Sequence, residues 1–185
     1  MLKFPTSIPE VILFKPNVFK DSRGSFYESY NLNKIKEVGI TTTFVQDNQS
    51  ESSRGVLRGL HYQMGAYAQA KLVRVIKGSV YDVAVDIRKG SPTFGQYFGT
   101  ILSEENQLQM FVPRGFAHGF IVLEDHTTFA YKCDNFYHKP SEGGLMWNDP
   151  LINIEWPMDT SQILLSEKDE ILPNIENCLN DFVYG

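Results

Sequence analysis

Lys71-Leu72-Val73-Arg74-Val75-Ile76-Lys77-Gly78-Ser79-Val80-Tyr81-Asp82-Val83-Ala84-Val85-Asp86-Ile87-Arg88 reads as two strands and a turn. Its β-branched and aromatic residues suit a pleated backbone, and Lys77-Gly78 supplies the break between the runs. The same texture extends outward on both sides. Val11 to Phe14, Thr43 to Val45, Tyr97 to Leu102, Gln109 to Val112, Gly119 to Leu123 and Thr127 to Cys133 read as further short strands. Lys89-Gly90-Ser91-Pro92, Pro113-Arg114-Gly115 and Glu124-Asp125 separate them. Many short strands with regular punctuation predict an all-β sandwich or barrel. Asn31 to Val38, stopped by Gly39, is the best candidate helix, and the stretch from Ser166 should form short helical turns. No repeat, low-complexity run or linker divides the chain, so residues 1–185 are expected to form one domain.

Alternation along a strand gives side chains a direction. Phe129, Tyr131 and Cys133 share one face, so Tyr131 should point inward while Lys132 meets water. Gln46 and Asn48 likewise share a face, and two inward amides need partners that a polar ligand would supply.

Composition narrows the function classes. A hydrophobic fraction of 42% and a charged fraction of 21% are ordinary for a globular protein. The net charge of −5, with both signs scattered, offers no basic stripe for nucleic acid. No apolar run approaches membrane-spanning length, and Met1-Leu2-Lys3-Phe4-Pro5 lacks the apolar stretch of a signal peptide. Cys133 and Cys178 form no disulfide framework or metal clip, and a cytoplasmic protein is expected.

The chemistry centres on His61, in Arg58-Gly59-Leu60-His61-Tyr62-Gln63, with Lys71 ten residues later. Imidazole accepts and donates protons near neutrality, and an ammonium beside it can hold a developing oxyanion. Pro113-Arg114-Gly115-Phe116-Ala117-His118-Gly119 has the form Pro-x-Gly-x-x-His, which resembles the second motif of the cupin jelly roll. The first cupin motif normally carries His-x-His, whereas this chain reads His61-Tyr62-Gln63. One imidazole is missing and Lys71 adds a cation, so a cupin without metal is expected.

Five segments extend the resemblance: Phe19 to Glu28, Phe44 to Asn48, Gly55 to Gln63, Lys71 to Val75 and Ser166 to Asp169. In that order they resemble the dTDP-4-dehydrorhamnose 3,5-epimerase family from about residue 8 to residue 169. The resemblance implies a dimeric jelly roll with a few peripheral helices, acting without metal or redox cofactor on a dTDP-linked 4-keto-6-deoxy sugar. It implies His61 as base, Asp169 as its dyad partner, Lys71 at the enolate oxygen and Tyr131 as the acid on the opposite face. It implies substrate contacts from Arg23, Glu28, Gln46, Asn48, Arg58, His118, Glu142 and Lys168, and an aromatic stack on thymine from Tyr137. Arg23 and Glu28 lie in a segment that, by analogy, crosses to a partner subunit. Phe136 stands where the family often has a second tyrosine. By spacing alone, Ser166 and Asp169 also fit a helix cap. A non-catalytic sugar-nucleotide-binding cupin and a metal-dependent cupin enzyme are the rival readings, and the retained His61, Lys71, Tyr131 and Asp169 argue against the first.

Overall fold

A computed structural model describes residues 1–185. The N-terminal strands are β1 (Leu2–Phe4), β2 (Ile12–Lys15), β3 (Phe19–Asp21) and β4 (Gly24–Phe26), followed by helix α1 (Leu32–Glu37). Next come β5 (Gln46–Ser52), β6 (Leu57–Gln63), β7 (Lys71–Lys77), β8 (Ser79–Asp86), β9 (Tyr97–Ser103), β10 (Gln109–Val112), β11 (Phe116–Val122) and β12 (Thr127–Cys133). The short β13 (Glu142–Gly144) and helix α2 (Glu167–Glu170) complete the set. Six strands form one sheet in the order β1-β2-β10-β7-β12-β5, and five form another in the order β13-β6-β11-β8-β9. The strand pairs within both sheets are antiparallel. Strands β3 and β4 pair only with each other.

Three apolar clusters hold the layers, and period-two alternation builds each of them. Val73 and Val75 of β7, Val80 and Ala84 of β8, Phe116 and Phe120 of β11, and Phe129 of β12 meet between the sheets. The opposite faces carry Leu60, Val83, Val85 and Ala117, covered by Leu145, Ile152, Ile154 and Ile175. On the other sheet, Ile12, Phe14, Leu72 and Phe111 are covered by Ile35 and Val38 of the α1 region. Asn31 caps α1 by accepting from the amides of Asn33 and Lys34, and Gly39 follows at φ +100°.

The expected strand at Thr43 to Val45 is corrected. The pairing begins at Gln46 and runs to Ser52, in register with β12 from Cys133↔Gln46 to Thr127↔Ser52. β5 is an edge strand with charged and amide side chains, so its neighbour rather than its own propensity makes it a strand. The expected strand from Gly119 begins earlier, at Phe116, while that from Ser79 ends at Asp86 rather than Arg88.

Candidate active site

Four polar residues occupy inward rows that are otherwise apolar. Lys71 begins the row Lys71-Val73-Val75, Asp82 lies between Val80 and Ala84, His118 between Phe116 and Phe120, and Tyr131 between Phe129 and Cys133. The two sheets bring Lys71, His118 and Tyr131 to one cavity of about 580 Å³, while Asp82 bonds to His118 without lining it. His61, Lys71, His118, Tyr131, Asp169, Asn48, Arg58 and Lys168 all line it. Tyr131 points inward as expected, and Lys132 lies on the outer face, paired with Asp47 and set 4.9 Å from the Tyr30 ring centre.

A bulge lets β6 present both Arg58 and His61. His118 pairs with His61, yet Phe120, two residues on, pairs with Arg58, three residues back. The extra residue re-aims the strand so that both side chains reach the cavity. Gly59 sits at φ +117°, and a Cβ there would lie 2.7 Å from the His118 carbonyl oxygen. Only glycine fits where the strands approach so closely.

His61 Nε2 lies 2.6 Å from Asp169 Oδ1. The Asp169 carboxylate also accepts from the Gly59 amide at 3.3 Å, and the Asp169 amide donates to Ser166 Oγ at 3.3 Å. Ser166 caps the helix at Asp169 while the Asp169 carboxylate reaches His61, so the cap aims the carboxylate. Burial pushes the Asp169 carboxyl up, but the hydrogen bond and charge of His61, with the Gly59 and Ser166 bonds, outweigh it and hold the group below its usual range.

A second pair stands beside the first. His118 Nε2 lies 2.9 and 3.1 Å from the two oxygens of Asp82, with both side chains buried. Burial dominates here, raising the Asp82 carboxyl and lowering the His118 imidazole against their mutual attraction. Asp82 is absent from the sequence-derived set. Its signal was an aspartate in the inward row of β8. Lys71 is lowered by desolvation, partly offset by the charges of Cys133, Asp82 and Glu142, and its ammonium lies 5.9 Å from the Tyr131 ring centre. Desolvation raises the Tyr131 phenol, and it raises the buried Cys133 thiol to about 11.

Gln46 and Asn48 do share a face, but their amides are already partnered. Gln46 Nε2 donates to Asn48 Oδ1, Asn48 Nδ2 donates to Cys133 Sγ, and Gln46 Oε1 accepts from the Tyr137 amide. Glu142 accepts from Lys168 at 2.8 Å, and Tyr137 sits beside Glu142, where partial desolvation and that carboxylate raise its phenol. Arg58 is steadied by two bonds to Ser52 Oγ. Arg23 and Glu28 do not reach the cavity of their own chain. Arg23 is exposed and paired with Asp21, and Glu28 is paired with Lys34. No group of three or more His, Cys, Asp or Glu side chains is gathered so as to hold a metal ion, and both cysteines are free. No helix is long and apolar enough to cross a membrane.

Residues 5–177 match the family model described as dTDP-4-dehydrorhamnose 3,5-epimerase. A Shigella flexneri protein named dTDP-4-dehydrorhamnose 3,5-epimerase is 57% identical over 165 residues, covering 89% of this chain and 90% of the relative. A Salmonella typhimurium protein of the same name is 52% identical over 181 residues, covering 97% and 98%. A Legionella pneumophila dTDP-6-deoxy-D-glucose-3,5-epimerase, solved with dTDP-4-keto-L-rhamnose, superposes with a TM-score of 0.90 at 49% identity, covering 95% of this chain and 93% of that one. The expected jelly-roll sandwich is thereby also the fold of solved relatives.

Proposed function

The chain belongs to the dTDP-4-dehydrorhamnose 3,5-epimerase family, and from that premise we propose how its residues act. The enzyme is an isomerase that inverts C3 and C5 of dTDP-4-dehydro-6-deoxy-D-glucose, giving dTDP-4-dehydro-L-rhamnose on the way to dTDP-L-rhamnose. The C4 ketone acidifies the hydrogens on C3 and C5, because either carbanion delocalises as an enolate. His61 takes the proton. Asp169, bonded at Nε2, keeps the proton of the neutral ring on that nitrogen and leaves Nδ1 free as the base. The Lys71 ammonium holds the negative charge that develops on the C4 oxygen. Tyr131 then gives its proton to the opposite face of the ring, which inverts the centre. Its raised phenol is protonated before the step, as a donor must be. Solvent at the open cavity restores the phenol and takes the proton from His61.

Arg58 and Lys168 bind the pyrophosphate, for which planar or point cations are suited. His118, Asn48, Gln46 and Glu142 contact sugar and base, and Tyr137 stacks on thymine. The epimerase unit spans residues 1–185, works in the cytoplasm without cofactor, and forms a homodimer in which Arg23 and Glu28 complete the partner's site. Two features support the dimer. Phe19 and Phe26 are 65% and 69% exposed on the isolated hairpin β3–β4, and the β5 edge has no strand on its outer side.

The observation that carries the proposal is the convergence of His61 with Asp169, Lys71 and Tyr131 on one cavity large enough for a hexose. The test is incubation with the dTDP-linked ketosugar followed by NMR of the product. Inversion at both C3 and C5 is expected; a sugar recovered unchanged would overturn it. Sedimentation should give twice the chain mass, and a monomer of full activity would remove the roles of Arg23 and Glu28.

A further inference from the structure

Gln63 is buried two residues beyond His61 on β6, and it does not line the cavity. Its amide is fully engaged by backbone. Nε2 donates to the carbonyls of Tyr67 at 2.9 Å and Phe136 at 3.2 Å, and Oε1 accepts from the His138 amide at 2.6 Å. An apolar side chain would fill this place without any need for partners. A buried amide fixes where three backbone groups must sit, since each would be costly to leave unpaired. Phe136 and His138 flank Tyr137, so Gln63 grips the chain on both sides of that ring. Tyr137 itself is 54% exposed. The third contact ties in the turn at 65–67, where the Tyr67 ring stacks on His138 with centroids 3.9 Å apart and planes at 12°.

The remaining bonds to this loop come from residues outside β6. Gln69 Nε2 donates to the Asn135 carbonyl, Asn135 Nδ2 donates to the Ala66 carbonyl, and Gln46 holds the Tyr137 amide. Gln63 alone joins the loop through a side chain to the strand that also carries His61 and Arg58. We propose that Gln63 is a positioning residue that sets Tyr137 at a fixed reach from His61, so that a nucleotide base stacked on Tyr137 leaves its sugar at the proton carriers. This rests on the reading that the cavity takes a dTDP-sugar with its base on Tyr137.

The test measures dTDP binding by calorimetry and steady-state turnover for the whole protein, Gln63→Met, Tyr137→Ala and the double variant. Gln63→Met should bind dTDP about 10-fold more weakly, the scale of one lost base stack. KM should rise by a similar factor while kcat stays within about twofold, because the proton carriers are untouched. In the Tyr137→Ala background, Gln63→Met should add no further loss, since both act through one ring. Unchanged dTDP affinity in Gln63→Met, a loss confined to kcat, or an equal loss with Tyr137 absent would each overturn the proposal. An unaltered protein that fails to bind dTDP would instead sink the substrate reading. Should Gln63→Met not fold, Gln63→Glu serves: it keeps an acceptor for His138 but turns both donor bonds into repulsion, with the same expected values. A chain that folds only with glutamine here has a structural residue at 63, which also overturns the proposal.

Discussion

Two histidines stand in register on neighbouring strands, each bonded to an aspartate: His61 to Asp169 of α2 and His118 to Asp82 of β8. Their chemistry diverges because their burial does. The His61 side chain is 32% exposed, and its aspartate also accepts a bond from the Gly59 amide of β6. That environment favours charge, and Asp169 is held low. His118, at the cavity wall, and Asp82 behind it are both buried, with the His118 ring stacked 6.3 Å from Phe129, and both shift toward their uncharged forms. The same two residue types thus give one pair whose carboxylate is held below its usual range, to which the proposed mechanism gives the proton transfer, and another shifted toward its uncharged forms. Residue identity alone does not separate the two pairs; the hydrogen-bond donors around the carboxylate and the degree of burial do.

Breaking the first pair should have the largest effect. His61→Ala is expected to stay folded and to lose about 10²–10⁴ in turnover of the dTDP-ketosugar, the range for removing a general acid–base group. Activity near that of the unaltered protein would transfer the base elsewhere. Lys71→Met follows, with a loss of about 10²–10³ in kcat if it holds the enolate oxygen. Asp169→Asn should lower turnover roughly 10²-fold by disturbing the tautomer while the ring remains. The second pair should respond in stability instead. Asp82→Ala leaves His118 buried without its partner and should cost about 1–3 kcal/mol in a urea melt. Asp82→Asn, which keeps the shape and removes a charge that burial already disfavours, should cost less than about 1 kcal/mol.

The smallest effects lie in the pH dependence of stability. Asp169 is depressed in the folded state, so its contribution is present above the ordinary 3.8 and is lost as pH falls through its lower folded value. Asp169→Asn should flatten the acid limb of urea midpoints below 3.8. His118 is lowered from 6.5, so the unfolded chain binds that proton first and stability falls as pH drops below 6.5. His118→Gln should flatten that slope; an unchanged slope would show that His118 is not the titrating group.

Much of this arrangement was legible before folding. The strands Lys71–Lys77 and Ser79–Asp86, which the turn between them sends into different sheets, and the strand from Thr127 to Cys133 announced themselves by β-rich composition, and alternation turned Tyr131 inward. The family motifs singled out His61, Lys71 and His118, which converge on the cavity. β5 was not legible in place, because Gln46 to Ser52 has little strand propensity and takes its form from β12. The bulge at Gly59 depends on the approach of two backbones, which no local pattern records. Asp82 and Gln63 were missed for a related reason: each acts on a residue far along the chain, His118 or the loop around Tyr137.

The most direct test follows solvent deuterium into the sugar ring with Tyr131→Phe and His61→Ala. If His61 removes the protons and Tyr131 returns them from the other face, Tyr131→Phe will still exchange ring hydrogens for deuterium but release sugar of the starting configuration. His61→Ala will show neither exchange nor inversion. Inversion at an undiminished rate in Tyr131→Phe, or exchange that persists without His61, would contradict the account.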